Sequence, residues 1–537
     1  MGAALMTPCQ RRTRSVAVAA AAVALVTSCT SDPSPTTETV ARPEADQSSS
    51  AVQESLATYA DTECPVEVSS VVFGDVTCGY LTVPENRAGS GADIRVFVTR
   101  VKPAGDTTLS EPVLVIGTEL GSVPNYGGIA PLAERVGREV VIVDTRGTGH
   151  SEPALECPEV EDLALPAVAV GTDDESAQRD FLEAVGTCHG RLTSEGIDPA
   201  SYNLGEMAAD AEDLRVALGI DTWNVVSYGT TSRIALELVR RTPEHVRALV
   251  LDTPEVPGMD PRIVGVDRTE AMLDAVLEAC AADVRCLRRF PDVQGSLAQA
   301  LTELQRDPIA LTLEGVGGPT PALLDPAMLV RVLRQMFSDG ASRGPLMQPG
   351  SVPAILEAVV TRRTGLLETA LGEAVMWPQP YCLGYLPKCL RVHMVSVAVT
   401  YSVLCHDVDP FSDVSSLPKA SQDVPGFGAA FGHSPYLGVC GEWQVGEAEP
   451  DVAAPVESSV PTLVLLGEFA THAPPATVRA ALRGLTKASF VIDAGGSHNV
   501  SARTECMLEV RNAWLENPTA GIRTPRCLRT STIRWEL

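Results

Sequence analysis

The sequence predicts an α/β fold: a mostly parallel sheet flanked by helices, with an inserted, mainly helical cap. Two patterns predict it. Short apolar runs such as Pro112–Gly117 and Val140–Asp144 read as strands buried on both faces, and they alternate with segments of helical spacing. The alternation stops near residue 256 and returns near residue 456, so the sheet-forming sequence is interrupted by an insertion and then resumed.

The elements follow in order. Ile94–Lys102 alternates as a strand, Pro112–Gly117 is a buried strand, Pro131–Val136 is helical, and Val140–Asp144 is a second buried strand. Asn203–Leu218 has helical spacing at Met207, Ala208, Ala211 and Leu214. Trp223–Val226 is a strand, Ser232–Arg241 a helix and Val246–Asp252 a strand. Residues 256–455 carry helical segments (Arg268–Cys280, Gly295–Gln305, Pro326–Phe337) and no run of buried strands, which makes them the cap. Pro461–Gly467 and Ala488–Asp493 return to strand, and Thr504–Leu515 is a closing helix. The core therefore occupies 62–255 and 456–537. No internal repeat is visible.

Residues 1–28 read as an export signal. Arg11, Arg12 and Arg14 precede the apolar run Val16–Val26, which is too short to span a membrane comfortably. The run ends in Val26-Thr27-Ser28-Cys29, which resembles a bacterial lipobox with Cys29 as the lipidated residue. Residues 29–61 are rich in Ser, Thr, Pro, Ala and Glu and lack apolar periodicity, so they read as a flexible tether. The expected location is extracytoplasmic, with the membrane as a partner through a lipid anchor at Cys29.

The net charge of −27 argues against nucleic-acid binding and against a basic membrane-surface patch. The chain has 14 cysteines; setting aside Cys9 and Cys29 leaves twelve. They fall into close couples: Cys64/Cys78, Cys157/Cys188, Cys280/Cys286, Cys382/Cys389, Cys405/Cys440 and Cys506/Cys527. An even number in an exported chain points to disulfides. No C-x-x-C pair and no histidine cluster supports a metal site, and no motif calls for a cofactor.

Four motifs carry a family resemblance: Asp144–Ser151 (D-T-R-G-T-G-H-S), the Trp223–Leu238 region, R-T-P-E-H-V-R-A-L-V-L-D-T-P ending at Pro254, and P-T-L-V-L-L-G-E-F followed by Gly495-Gly496-Ser497-His498. Together they resemble secreted actinobacterial tripeptidyl aminopeptidase-like α/β-hydrolases, relatives of the prolyl aminopeptidases. The resemblance covers both halves of the core. The cap matches weakly, through Cys280/Cys286, Cys405 and Cys440-x-x-Trp443.

The resemblance implies a serine nucleophile, an acid and a histidine base in that order along the chain. Three catalytic elements, the nucleophile, the acid and the oxyanion loop, depart from the family pattern, while the base and the Asp144–Gly149 motif are intact. In family members an Asn is followed by two apolar residues, then G-x-S-Y-G, then T-R-x-A-L, eleven residues from Asn to Ala, and Asn224 to Ala235 has that same spacing. In the ungapped register Ser227 takes the first glycine position, Gly229 the serine position and Thr231 the last glycine position. The alternative register makes Ser227 the nucleophile and puts β-branched Val225 where the turn wants glycine. The family's G-E-F-D reads Gly467-Glu468-Phe469-Ala470 here, so the acid position is Ala470, with Glu468 or Asp493 as possible replacements. The oxyanion loop G-G-P-G-x-S reads Gly117-Thr118-Glu119-Leu120-Gly121-Ser122, where Glu119 brings a negative charge toward a developing oxyanion. Gly127-Gly128 reads as an ordinary nearby loop. His498 retains the base position. The Asp144–Gly149 turn and Asp252 read as structural.

Two functions follow from these expectations. One is an anchored, catalytically degenerate hydrolase fold that binds a peptide or ester ligand under its cap, or scaffolds a partner. The other is an active aminopeptidase or esterase using Ser227 and His498.

Overall fold

The computed structural model describes residues 57–65, 68, 75–89, 91–104, 109–117, 126–163, 175–315, 318–338, 344–375, 396–413, 437–522, 528 and 532–537. The signal segment, Cys29, most of the expected tether and the loop 118–125 lie outside these residues. No helix among the described residues is long and apolar enough to cross a membrane.

Nine strands form the main sheet: β1 (Thr58–Thr62), β2 (Asp75–Pro84), β3 (Asp93–Lys102), β4 (Leu109–Ile116), β5 (Arg138–Val143), β6 (Trp223–Tyr228), β7 (Val246–Asp252), and, beyond the cap, β10 (Thr462–Gly467) and β11 (Ala488–Asp493). Their order is β1-β2-β3-β5-β4-β6-β7-β10-β11. The first four neighbours pair antiparallel, and from β5 onward every pair is parallel. The central strands are apolar on both faces because helices cover both. Val225, Leu249 and Leu251 pack on one side, and Val226, Ala248 and Val250 on the other.

β1 corrects the expected tether boundary. Thr58–Thr62 pairs antiparallel with β2, with Thr62 opposite Cys78. The segment T-Y-A-D-T offers little apolar signal because an edge strand is held by backbone pairing. The Cys64–Cys78 disulfide fastens it at one end.

The inserted segment is not one helical layer. Residues 261–375 enclose their own apolar core, including Leu273, Val276, Leu301, Leu333 and Leu356, and Phe469 and Ile533 from the sheet domain pack into it. This part, mainly helical as expected, also contains a β-hairpin, β8 (Ile309–Gly315) with β9 (Gly318–Leu324), which the sequence reading did not mark. Residues 397–413 and 437–456 contribute instead to the core against the sheet, through Val399, Tyr401 and Trp443. The Trp443 indole donates to Ser402 Oγ at 3.0 Å, and Cys405–Cys440 closes the segment.

Disulfides also join Cys157 to Cys188 and Cys280 to Cys286, and Cys506 is disulfide-bonded. Cys9, Cys29, Cys382, Cys389 and Cys527 lie outside the described residues. Cys157, Glu159 and Cys188 have ligand-like spacing, but both sulfurs belong to the disulfide.

The Asp144–Gly149 turn braces the sheet edge. Arg146 is fully buried and bidentate on Asp210, at 2.7 Å for each bond, and it also donates to the Ser201 carbonyl at 2.8 Å. Arg87 donates to the same Asp210 carboxylate.

Candidate functional site

The site lies at the C-terminal ends of β6, β7, β10 and β11, where loops leaving parallel strands converge. Four of its residues are set by those strand ends: Gly229, Asp252, His472 and His498.

The sharp turn after β6 falls on Gly229, which has φ +48°. That left-handed conformation is where an α/β-hydrolase holds its nucleophile, and glycine supplies no side chain for the task. Ser227 is fully buried and still inside β6, opposite Leu251. Its Oγ lies 3.4 Å from Ser232 Oγ, at the start of the helix Ser232–Arg241, on the same sheet face as Val225. Among the described residues, this bond engages the Ser227 hydroxyl beneath the turn. Thr231 fills the last glycine position and laces the turn: its Oγ1 lies 2.6 Å from the Gly117 carbonyl and 2.9 Å from the Tyr228 carbonyl. Thr230 donates to Glu255 at 3.1 Å, and the Glu255 backbone N–H donates to the Gly229 carbonyl at 3.0 Å.

His498 follows β11 and is buried. Its Nδ1 lies 2.8 Å from His472 Nε2, with ring centroids 4.6 Å apart at 61°. His472 sits in the loop after β10, two residues beyond Ala470, and sequence reasoning missed it. The only signal available was a histidine close to the empty acid position. Burial, with the neighbouring His498 ring and then Arg334 of the cap adding to it, holds His472 well below the usual imidazole range. The Thr253 backbone opposes this shift.

Ala470 is fully buried and brings no carboxylate. Glu468 is exposed; partial burial of its carboxyl, and then the Asp493 charge, push its pKa up. Asp493 is used on its own loop, where Oδ1 accepts from the Gly495 N–H at 3.3 Å. The expected oxyanion residues 118–122 lie outside the described residues, and Gly127-Gly128 falls in the first turn of the helix Tyr126–Val136.

Two features hold the His498 loop. Asp252 is fully buried at the end of β7 and accepts from the Val500 N–H at 3.0 Å and the Ser501 N–H at 2.8 Å. Its carboxylate therefore caps the segment after His498, a structural role. Gly467 lets that loop cross β10, because a Cβ there would meet the Ser497 carbonyl oxygen at 2.1 Å. From the final helix, Arg511 reaches the Tyr228 hydroxyl at 3.0 Å and so ties β6 to the same corner.

Chemically, the corner holds a buried imidazole couple beside a tight turn whose positive-φ residue is glycine. The Ser227 and Thr230 hydroxyls beside that turn bond to Ser232 and Glu255.

Comparison with known proteins places this geometry. Residues 111–287 match the alpha/beta hydrolase fold model, and residues 424–527 match the model described as TAP-like protein. The serine protease Hip1 of Mycobacterium tuberculosis and Mycobacterium bovis is 23% identical over 491 residues, covering 84% of this chain and 88% of the relative. Among solved structures, proline iminopeptidase from Mycobacterium smegmatis matches 81% of this chain and 96% of its own, at 15% identity and TM-score 0.34. An esterase from Thermogutta terrifontis matches 82% and 99%, at 14% identity and TM-score 0.34. With its strand order, its turn after β6 and a histidine after the last strand, the chain has the α/β-hydrolase fold, and it is similar to the TAP-like proteins.

Proposed function

We propose that this chain is an exported, lipid-anchored TAP-like protein whose hydrolase centre is catalytically degenerate, and that it binds a peptide or ester ligand under the cap or scaffolds a partner. The observation that carries this reading is Gly229 on the nucleophile turn. Ser227 buried under that turn, Ala470 at the acid position and a second imidazole on His498 support it. A serine hydrolase lacking its nucleophile keeps only binding and any oxyanion stabilisation, losing about 10⁶-fold in rate.

The serine protease name of the Hip1 relatives favours a second reading, an active peptidase or esterase using Ser227 and His498. A fluorophosphonate probe separates the two. The degenerate reading expects no labelling of the purified chain and no turnover of peptide or ester panels. Labelling that disappears in Ser227→Ala would overturn it and establish the second. Retention of the wild-type chain in the membrane fraction, lost in Cys29→Ser, tests the anchor.

A further inference from the structure

A cationic, apolar face lies on the cap of a chain whose overall charge is strongly negative. The short helix Val284–Arg289 exposes Val284 (70%) and Leu287 (41%), three residues apart and therefore on one side of the helix. Arg285 and Arg288 are exposed beside them. Arg285 reaches Asp283 only at 3.8 Å, and Arg289 and Arg363 share a single carboxylate, Glu357. Counting exposed Asp292 just past the helix, four arginines thus meet three carboxylates, a local excess of positive charge on a chain of net charge −27. Trp535 lies against Asp283 at the edge of this face.

The face is rigid. Asp283 caps the helix by accepting from the Arg285 and Cys286 N–H groups, at 2.8 and 3.1 Å. Cys286 points inward, fully buried, and is bonded to Cys280. The staple prevents the helix from rotating Val284 and Leu287 toward the cap interior.

We propose that this face docks on the surface of an anionic lipid bilayer. Val284 and Leu287 would enter the boundary between headgroups and acyl chains, and the arginines would meet lipid phosphates. The acidity of the rest of the chain does not prevent this. At physiological salt the Debye length is about 8 Å, so local charge decides what a docked face feels. The whole-chain charge, which argued against a basic membrane-surface patch, averages this face away. The proposal does not depend on the lipid anchor or on the degenerate centre.

The test uses the full chain carrying Cys29→Ser, which removes the acylation site. Vesicles of phosphatidylcholine alone are compared with vesicles containing equal parts of phosphatidylglycerol, by co-sedimentation at low and high salt. Binding to the anionic vesicles only, weakened by salt, is expected. Arg285→Glu with Arg288→Glu should lower the partition about thirty-fold or more, at roughly five-fold per neutralised arginine. Val284→Asp with Leu287→Asp should also abolish binding, while Val216→Asp, an exposed apolar position elsewhere, should leave it unchanged. All five positions are exposed, so the variants should melt like the parent. Absence of binding to anionic vesicles, or equal binding by the charge-reversed variant, would overturn the proposal.

Discussion

His498 Nδ1 and His472 Nε2 are 2.8 Å apart, so the base position of this α/β-hydrolase is oriented by a second imidazole and not by a carboxylate. An imidazole can accept a proton bond from Nδ1 as an aspartate does, and this leaves Nε2 as the basic nitrogen, the tautomer a hydrolase uses. What an imidazole lacks is the negative charge that would stabilise an imidazolium on its neighbour.

The couple makes stability depend on pH. The folded state holds His472 well below the ordinary value near 6.5, so its neutral form is the one that fits. Above about pH 6.5 neither state binds this proton and the contribution is fully present. As pH falls below that value the unfolded chain takes up a proton that the folded chain refuses, and stability drops by about 1.4 kcal/mol per unit. Denaturant unfolding between pH 7.5 and 5.5 checks this by difference. His472→Gln should flatten the decline; an identical slope in both proteins would remove His472 as its source.

Restoring the missing groups should restore reactivity. Gly229→Ser places a hydroxyl on the turn that already has positive φ. It should gain fluorophosphonate labelling that the parent lacks. Adding Ala470→Asp returns the acid position, whose loss in serine hydrolases costs about 10⁴-fold. The double variant should therefore label at least ~100-fold faster than Gly229→Ser alone. Label that persists in Gly229→Ser/Ser227→Ala would place it at residue 229; if neither variant labels, Gly229 does not stand at a usable nucleophile position.

Asp252 can be tested as a positioning group. Its carboxylate accepts two backbone N–H bonds from residues 500 and 501 in a fully buried place. Charge-assisted bonds of this kind contribute about 1.5–3 kcal/mol each. Asp252→Ala should cost roughly 3–5 kcal/mol in denaturant unfolding, and Asp252→Asn distinctly less, since an amide oxygen can still accept one bond. Equal losses would argue that the charge matters for something other than capping.

Much of this architecture was legible in the sequence, for physical reasons that also explain the gaps. Val246–Asp252 and Ser232–Arg241 occupy the stretches that apolar runs and helical spacing marked, because both are buried by the same core. β1 was hidden because an edge strand needs no apolar face. The β8/β9 hairpin was hidden by Pro319 and Pro321, which demote a strand reading in any but an edge position. At the site, the Asn224-to-Ala235 spacing foretold a turn at Gly229. His472 was not foreseen, because a loop residue follows no period and the family pattern directs attention to position 470.

The Arg146–Asp210 pair tests the view that the turn at Asp144–Gly149 is structural. Arg146 is fully buried, and removing Asp210 would leave its charge with backbone carbonyls and the more distant Glu206 carboxylate at 3.4 Å, while Arg87 would keep Glu206 and Asp213. Breaking one partner of a buried pair costs about 3–5 kcal/mol. Replacing both partners by apolar residues of similar size is often far less costly, because no uncompensated charge remains. Asp210→Ala should therefore lower the unfolding midpoint strongly, and Arg146→Met/Asp210→Leu should recover part of that loss. If the double variant is no more stable than Asp210→Ala, the loss comes from shape and packing at this corner, and the ion pair is incidental to it.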